Sequence, residues 1–189
     1  MITVIGEITA DTLKQYFDQI RNYYDKPEFV LRLMNSASIL ISSPGGDIGY
    51  TLAMLDDIDK YKRDTCATGI CQSAAAVLAT AGEGHRSCTM DALFRFIPPE
   101  KEQVLVDGEW VEKVPDLRHF LQSVLVTRLA QRLKWAIPET NDLFDGEFIN
   151  SERAKELGLI DEVISTENPN GNLSRVSGCE TGAYHAENA

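Results

Sequence analysis

A chain of 189 residues with 43% hydrophobic side chains is long enough to bury the core of one ordinary domain. Its formal charge of −11, from 29 acidic against 18 basic residues, argues against nucleic acid or an anionic membrane surface as a partner. No stretch reaches the apolar length of a membrane span, and Met1 to Glu7 lacks the basic and apolar regions of a secretory signal, so the cytoplasm is the expected location.

Val4 and Ile5 begin a short strand. Thr9 stands where a helix cap is expected, ahead of an apolar stripe of Leu13, Tyr16, Phe17, Ile20 and Tyr24 that stops before Pro27. The run from Phe29 to Met34 precedes a strand at Ile39 to Ile41, and Ile48, Leu52, Leu55 and Ile58 mark a second amphipathic helix. A strand over 65–71 leads to Ser73 and a helix of small and apolar residues, Ala74 to Ala79; Leu93 to Ile97 reads as another strand. Strands and helices in alternation predict an α/β fold with a mostly parallel sheet covered by helices. Apolar runs on either side of Asp107-Gly108 predict a hairpin. Pro115 and Asp116 then open a long helix with Leu117, Phe120, Leu121, Val124, Leu125, Leu129 and Leu133 on roughly one face. After Ile164 large apolar residues nearly vanish, which predicts one domain over 1–165 and a flexible polar tail over 166–189.

The chemistry concentrates in two segments, Ile39-Leu40-Ile41-Ser42-Ser43-Pro44-Gly45-Gly46-Asp47 and Thr68-Gly69-Ile70-Cys71-Gln72-Ser73-Ala74-Ala75-Ala76, each an apolar strand running through glycine into a helix. The glycines after Pro44 let the backbone turn sharply and offer N–H groups to a developing negative charge. Ser73 opens its helix where unpaired N–H groups also favour anions. Both segments resemble those of the Clp protease proteolytic subunit, a serine peptidase. The resemblance extends to Phe148 through Val163, similar to that family's closing helix and strand. It implies the ββα-spiral fold of the Clp and crotonase group with a handle helix. It also implies Ser73 as nucleophile, Gly46 and Ala74 as oxyanion-hole amides, unstructured polypeptide as substrate, and no cofactor.

The family's histidine position is Ile97, which has no lone pair to accept a proton. The family's aspartate position is Gly146, with Asp145 one residue earlier as the replacement carboxylate. A serine hydroxyl without a base is a poor nucleophile. Of the three histidines, His85 sits in a turn expected to face away from the serine, His119 lies near the start of the long helix, and His185 lies in the tail. Cys66, Cys71, Cys88 and Cys179 form no Cys-x-x-Cys pair and stand near no histidine in zinc spacing, so no metal site is expected. Cys71 is two residues from Ser73 but reads as core packing rather than a thiol nucleophile.

By the resemblance, the long helix is a handle that assembles the chain into a homo-oligomeric ring or double ring, and other Clp subunits or an AAA+ unfoldase are partners. Because the sequence begins at the first expected strand, the family's axial N-terminal segment is not read in it, and docking to an unfoldase is the less expected of these partnerships. Short Clp relatives also occur in viruses, for which the location would be the host cytoplasm. Three functions compete: a Clp-like subunit with weak or no peptidase activity, an active serine endopeptidase with a rearranged base, and a crotonase-like CoA-ester-binding protein.

Overall fold

The structure is a computed structural model, and the residues it describes are 2–24, 38–98, 102–106, 109–113 and 116–164. The apolar run over 29–34, the turn at 107–108, Pro115, Cys179, His185 and the tail expected over 166–189 lie outside them.

Strand β1 (Ile2–Ile5) is followed by α1 (Ala10–Tyr24), whose start is capped by Thr9: its Oγ1 accepts the Thr12 N–H at 3.4 Å. Strand β2 (Ile39–Ser43) leads to α2 (Ile48–Tyr61), capped by Asp47 through the Tyr50 N–H at 2.9 Å. Strand β3 (Thr65–Gln72) feeds α3 (Ala74–Thr80), then come β4 (Arg86–Thr89) and β5 (Leu93–Arg95). The expected strand to Ile97 is therefore shorter. Its last two positions leave the ladder because the Phe96 carbonyl accepts instead the N–H of Gly146 at 3.1 Å.

β1, β2, β3, β4 and a late strand β9 (Glu162–Ile164) lie side by side, every neighbouring pair parallel. β3 forks: Thr65 to Ala67 pair with β4, whereas Ile70 to Gln72 pair with β5. The turn-off is at Gly69, whose φ of +57° suits glycine. β5 in turn pairs antiparallel with β8 (Phe148–Asn150), so that these two strands form a short branch of the same sheet. The hairpin forms as β6 (Glu102–Val106) and β7 (Glu109–Lys113), antiparallel and separate from that sheet.

Every side chain of α3 is buried, and the helix packs on β2, β3, α2 and α4 (Asp116–Leu133). Only alanine-rich sequence admits backbones so close on several sides. Phe94 and Phe96 are fully buried, each contributing about 1.5–3 kcal/mol relative to an exposed ring. Their alternation puts Arg95 and Ile97 together on the opposite face.

Helix α4 is divided. Leu125, Val126, Leu129 and Ala130 are buried, but Phe120, expected on the same stripe, is 61% exposed. Charge fastens the packed half to the body: Arg128 pairs with Asp59 at 2.8 Å and with Asp56, and Arg132 donates to the Gly84 carbonyl at 3.1 Å. Short helices α5 (Ile137–Asn141) and α6 (Ser151–Glu156) complete the order. Among the described residues no helix is long and apolar enough to cross a membrane.

Candidate active site

The loop from β2 to α2 is built around two glycines. A Cβ on Gly46 would lie 2.3 Å from the Ile8 carbonyl oxygen, and one on Gly45 would lie 2.9 Å from the Ser73 Cβ. Only glycine fits either place. The buried Ser43 hydroxyl holds the turn by accepting the Gly45 N–H at 3.0 Å. Ile8 locks its outer side: its N–H donates to the Gly45 carbonyl at 2.8 Å and its carbonyl accepts the Asp47 N–H at 2.9 Å. Those bonds leave the Gly46 N–H without a partner among the described residues. With Gly45 against Ser73, the Gly46 Cα lies within about 8 Å of the Ser73 Cβ.

Ser73 joins β3 to α3 with φ 51° and ψ −124°, a conformation costing a side-chain-bearing residue on the order of 1–3 kcal/mol. Neighbours hold it there. Its N–H donates to the Arg95 carbonyl at 2.7 Å, and its own carbonyl accepts the Ala76 N–H at 3.1 Å. The side chain is half-buried and its hydroxyl has no hydrogen-bond partner among the described residues. The Ala74 N–H is likewise unpaired. The two segments singled out in the sequence thus meet at Gly45 and Ser73, and each carries a backbone N–H without a partner among the described residues.

The other half of the site lies on β5 and β8. Ile97 is half-buried just past β5. Gly146, with φ of +83°, donates to the Phe96 carbonyl and accepts from Arg95 Nε at 2.5 Å. Asp145 is exposed and turned back on its own loop, where its Oδ1 accepts the Glu147 N–H at 2.8 Å. It makes no bond to the serine segment among the described residues.

His85 lies at the start of β4, away from the serine end of β3, with Nε2 3.8 Å from Glu162. His119 is exposed on α4 and lines a cleft of about 330 Å³ with Pro98, Gln122, Val126, Ile137 and Phe144. The Gln122 Nε2 is buried without a partner among the described residues. Cys71 is fully buried and donates to the Ile41 carbonyl at 3.3 Å. Burial pushes its thiol up to about 12, so it is protonated and inert at neutral pH. Cys66 and Cys88 are buried too. No cluster of three or more His, Cys, Asp or Glu side chains is placed to hold a metal among the described residues.

Sequence reasoning missed Arg95. The signal was a charged residue within the apolar run Leu93-Phe94-Arg95-Phe96-Ile97, and its meaning depended on what lay across the sheet.

The Clp protease family matches residues 30–167. A curated relative, ATP-dependent Clp protease proteolytic subunit 1 of Cutibacterium acnes, is 27% identical over 137 residues, which cover 68% of this chain. The match spans 62% of that relative, less than two thirds of its length. Among solved structures, the ClpP protease catalytic domain from Plasmodium falciparum is similar with a TM-score of 0.70, over 89% of this chain and 86% of that one. At 24% identity that likeness shows the fold, the α/β spiral expected from the sequence.

Proposed function

Since the chain belongs to the Clp protease family, we propose that it is a Clp-like proteolytic-subunit homologue whose Ser73 site holds polypeptide but hydrolyses it weakly or not at all. The observation that carries this reading is the serine without a base: the Ser73 hydroxyl is unpartnered among the described residues, and Ile97 stands at the family's histidine position. Ser73 is the nucleophile position and the Gly46 and Ala74 N–H groups are the oxyanion donors. Such donors stabilise charge that develops after attack but do not remove the hydroxyl proton. Loss of the nucleophile's base costs about 10⁶ in turnover, leaving about 10³–10⁴ over water from the oxyanion hole and binding. The cleft beside Pro98 supports an extended polypeptide alongside the site.

Assembly into a ring or double ring belongs to the same reading, supported by the exposed Phe120 end of α4. So do other Clp subunits or an AAA+ unfoldase as partners and a cytoplasmic location. A second reading, hydrolysis with His119 as the base, is favoured by one observation, its place in the cleft with Pro98, next to Ile97.

The test is hydrolysis of an unstructured fluorogenic peptide together with fluorophosphonate labelling. Expected are background hydrolysis, unchanged by Ser73→Ala, and labelling that rises in Ile97→His. Robust cleavage abolished by Ser73→Ala would overturn the silent reading, and its further loss in His119→Ala would establish the second.

A further inference from the structure

Arg95 occupies a singular place in the site. Its backbone carbonyl accepts the Ser73 N–H, and its register partners across the sheet are Gln72 on β3 and Phe148 on β8. Paired residues share a face, so the Arg95 side chain lies on the face that also carries Phe148 and, by alternation, Ile97. The guanidinium packs over the Phe148 ring at 5.0 Å and is steered by Nε onto the Gly146 carbonyl at 2.5 Å. A Cβ added to Gly146 would lie 3.8 Å from Arg95 Nη2. The cation thus lies in contact distance of the place a side chain at 146 would occupy, which is the family's carboxylate position.

Only Nε is used. Nη1 and Nη2 have no hydrogen-bond partner, and no carboxylate pairs with this arginine among the described residues. The chain has 29 acidic residues to 18 basic ones, so a lack of carboxylates does not explain it. Arg63, Arg86, Arg128, Arg132 and Arg153 all have acidic partners. Asp145, next in sequence to the Gly146 whose carbonyl Arg95 engages, is turned onto the Glu147 N–H instead. A half-buried guanidinium presenting a planar edge of free donors matches a carboxylate in two-point geometry.

We propose that Arg95 is a carboxylate-binding group beside Ser73 and takes a free carboxylate of the bound polypeptide. The inference deepens the polypeptide-binding reading and rests on it. On this reading, an anion receptor stands two residues before Ile97, the family's histidine position. The carboxylate comes from the polypeptide's C-terminus or from an acidic side chain; both offer the same chemistry.

The test is fluorescence anisotropy with three N-terminally labelled unstructured peptides: one with a free C-terminus, one amidated, and one amidated but carrying a single glutamate. The protein should bind a carboxylate-bearing peptide about tenfold or more tighter than the neutral amide. Arg95→Gln should abolish that preference and Arg95→Lys should keep part of it. Preference for the free C-terminus alone assigns the main-chain carboxylate, and preference for the glutamate peptide alone assigns the side chain. If Arg95→Gln melts early by circular dichroism, Arg95→Met, which keeps the packing on Phe148, replaces it. Equal binding of all three peptides, or a preference that survives loss of the charge, overturns the role of Arg95 and leaves the silent-subunit reading standing. Failure of every peptide to bind overturns both the role of Arg95 and the polypeptide-binding part of that reading, while hydrolysis and fluorophosphonate labelling judge catalytic silence separately.

Discussion

The β2–β3 half of the site and the β5–β8 half have had different fates. In the first, the Gly45-Gly46 turn packs tightly against Ile8 and Ser73. In the second, Ile97 offers no proton acceptor, and Arg95 stands against Gly146 where a carboxylate would be expected. The difference lies in what each half is made of. Backbone donors persist as long as the turn folds, because glycine and packing hold them. Proton transfer depends on two side chains that can be exchanged without disturbing any ladder.

The largest expected effect comes from adding one methyl group to each half. Gly46→Ala drives a Cβ into the Ile8 carbonyl at 2.3 Å and should cost about 3 kcal/mol or more, for something in the backbone must move. Gly146→Ala meets only the Arg95 guanidinium, at 3.8 Å, and should cost about 1–2 kcal/mol from its positive φ. Urea unfolding of both variants checks the ranking, and equal losses would erase the contrast between a packed half and a permissive one.

A smaller effect of opposite sign is expected at the serine. Ser73→Gly should stabilise the fold by about 1 kcal/mol, since glycine adopts φ 51° and ψ −124° without the side-chain penalty, offset in part by its greater unfolded entropy. An unchanged or lower melting temperature would mean that the turn stores no strain.

The smallest effect concerns the clamp on α4, the helix lining the cleft beside Pro98. Burial pushes the Asp161 carboxyl up, but hydrogen bonds from Arg86 and the charges of Arg86 and Arg132 outweigh it and hold the group below the ordinary carboxylate range. A depressed carboxyl contributes stability above its unfolded value, near 3.9, and loses it as pH falls through the lower folded value. Asp161→Asn should therefore destabilise at pH 7 by under about 1 kcal/mol, because solvent screens a partly exposed group. The deficit should shrink below about pH 4. Asp59 behaves oppositely: burial keeps it above its ordinary value despite the Glu83 N–H and Arg128, so its contribution grows as pH falls. A deficit constant from pH 7 to pH 3 in chemical denaturation would remove Asp161 from the clamp's pH response.

Much of the retained half was legible in the amino-acid order. Pro44-Gly45-Gly46 and a serine before a run of alanines constrain the backbone locally, and local constraint survives into the fold. That position 97 supplies no base was legible for a related reason, since isoleucine cannot accept a proton in any conformation. The alternation of strands and helices likewise announced a parallel sheet, because the period of the apolar positions sets which faces must be covered.

Tertiary structure alone decided the rest. β3 forks at Gly69 and pairs with two different strands, which no periodicity within a strand reveals. Asp145, expected as the replacement carboxylate, is caught by its own turn, while Arg95 reaches Gly146 from a strand about 50 residues away in sequence. Helix α4 was expected to carry one continuous apolar stripe, yet it is buried at Leu125 and Leu129 and exposed at Phe120. A stripe records only that a face is apolar. What covers that face, and which side of a three-residue strand looks onto the serine, depends on partners brought close by folding rather than by sequence.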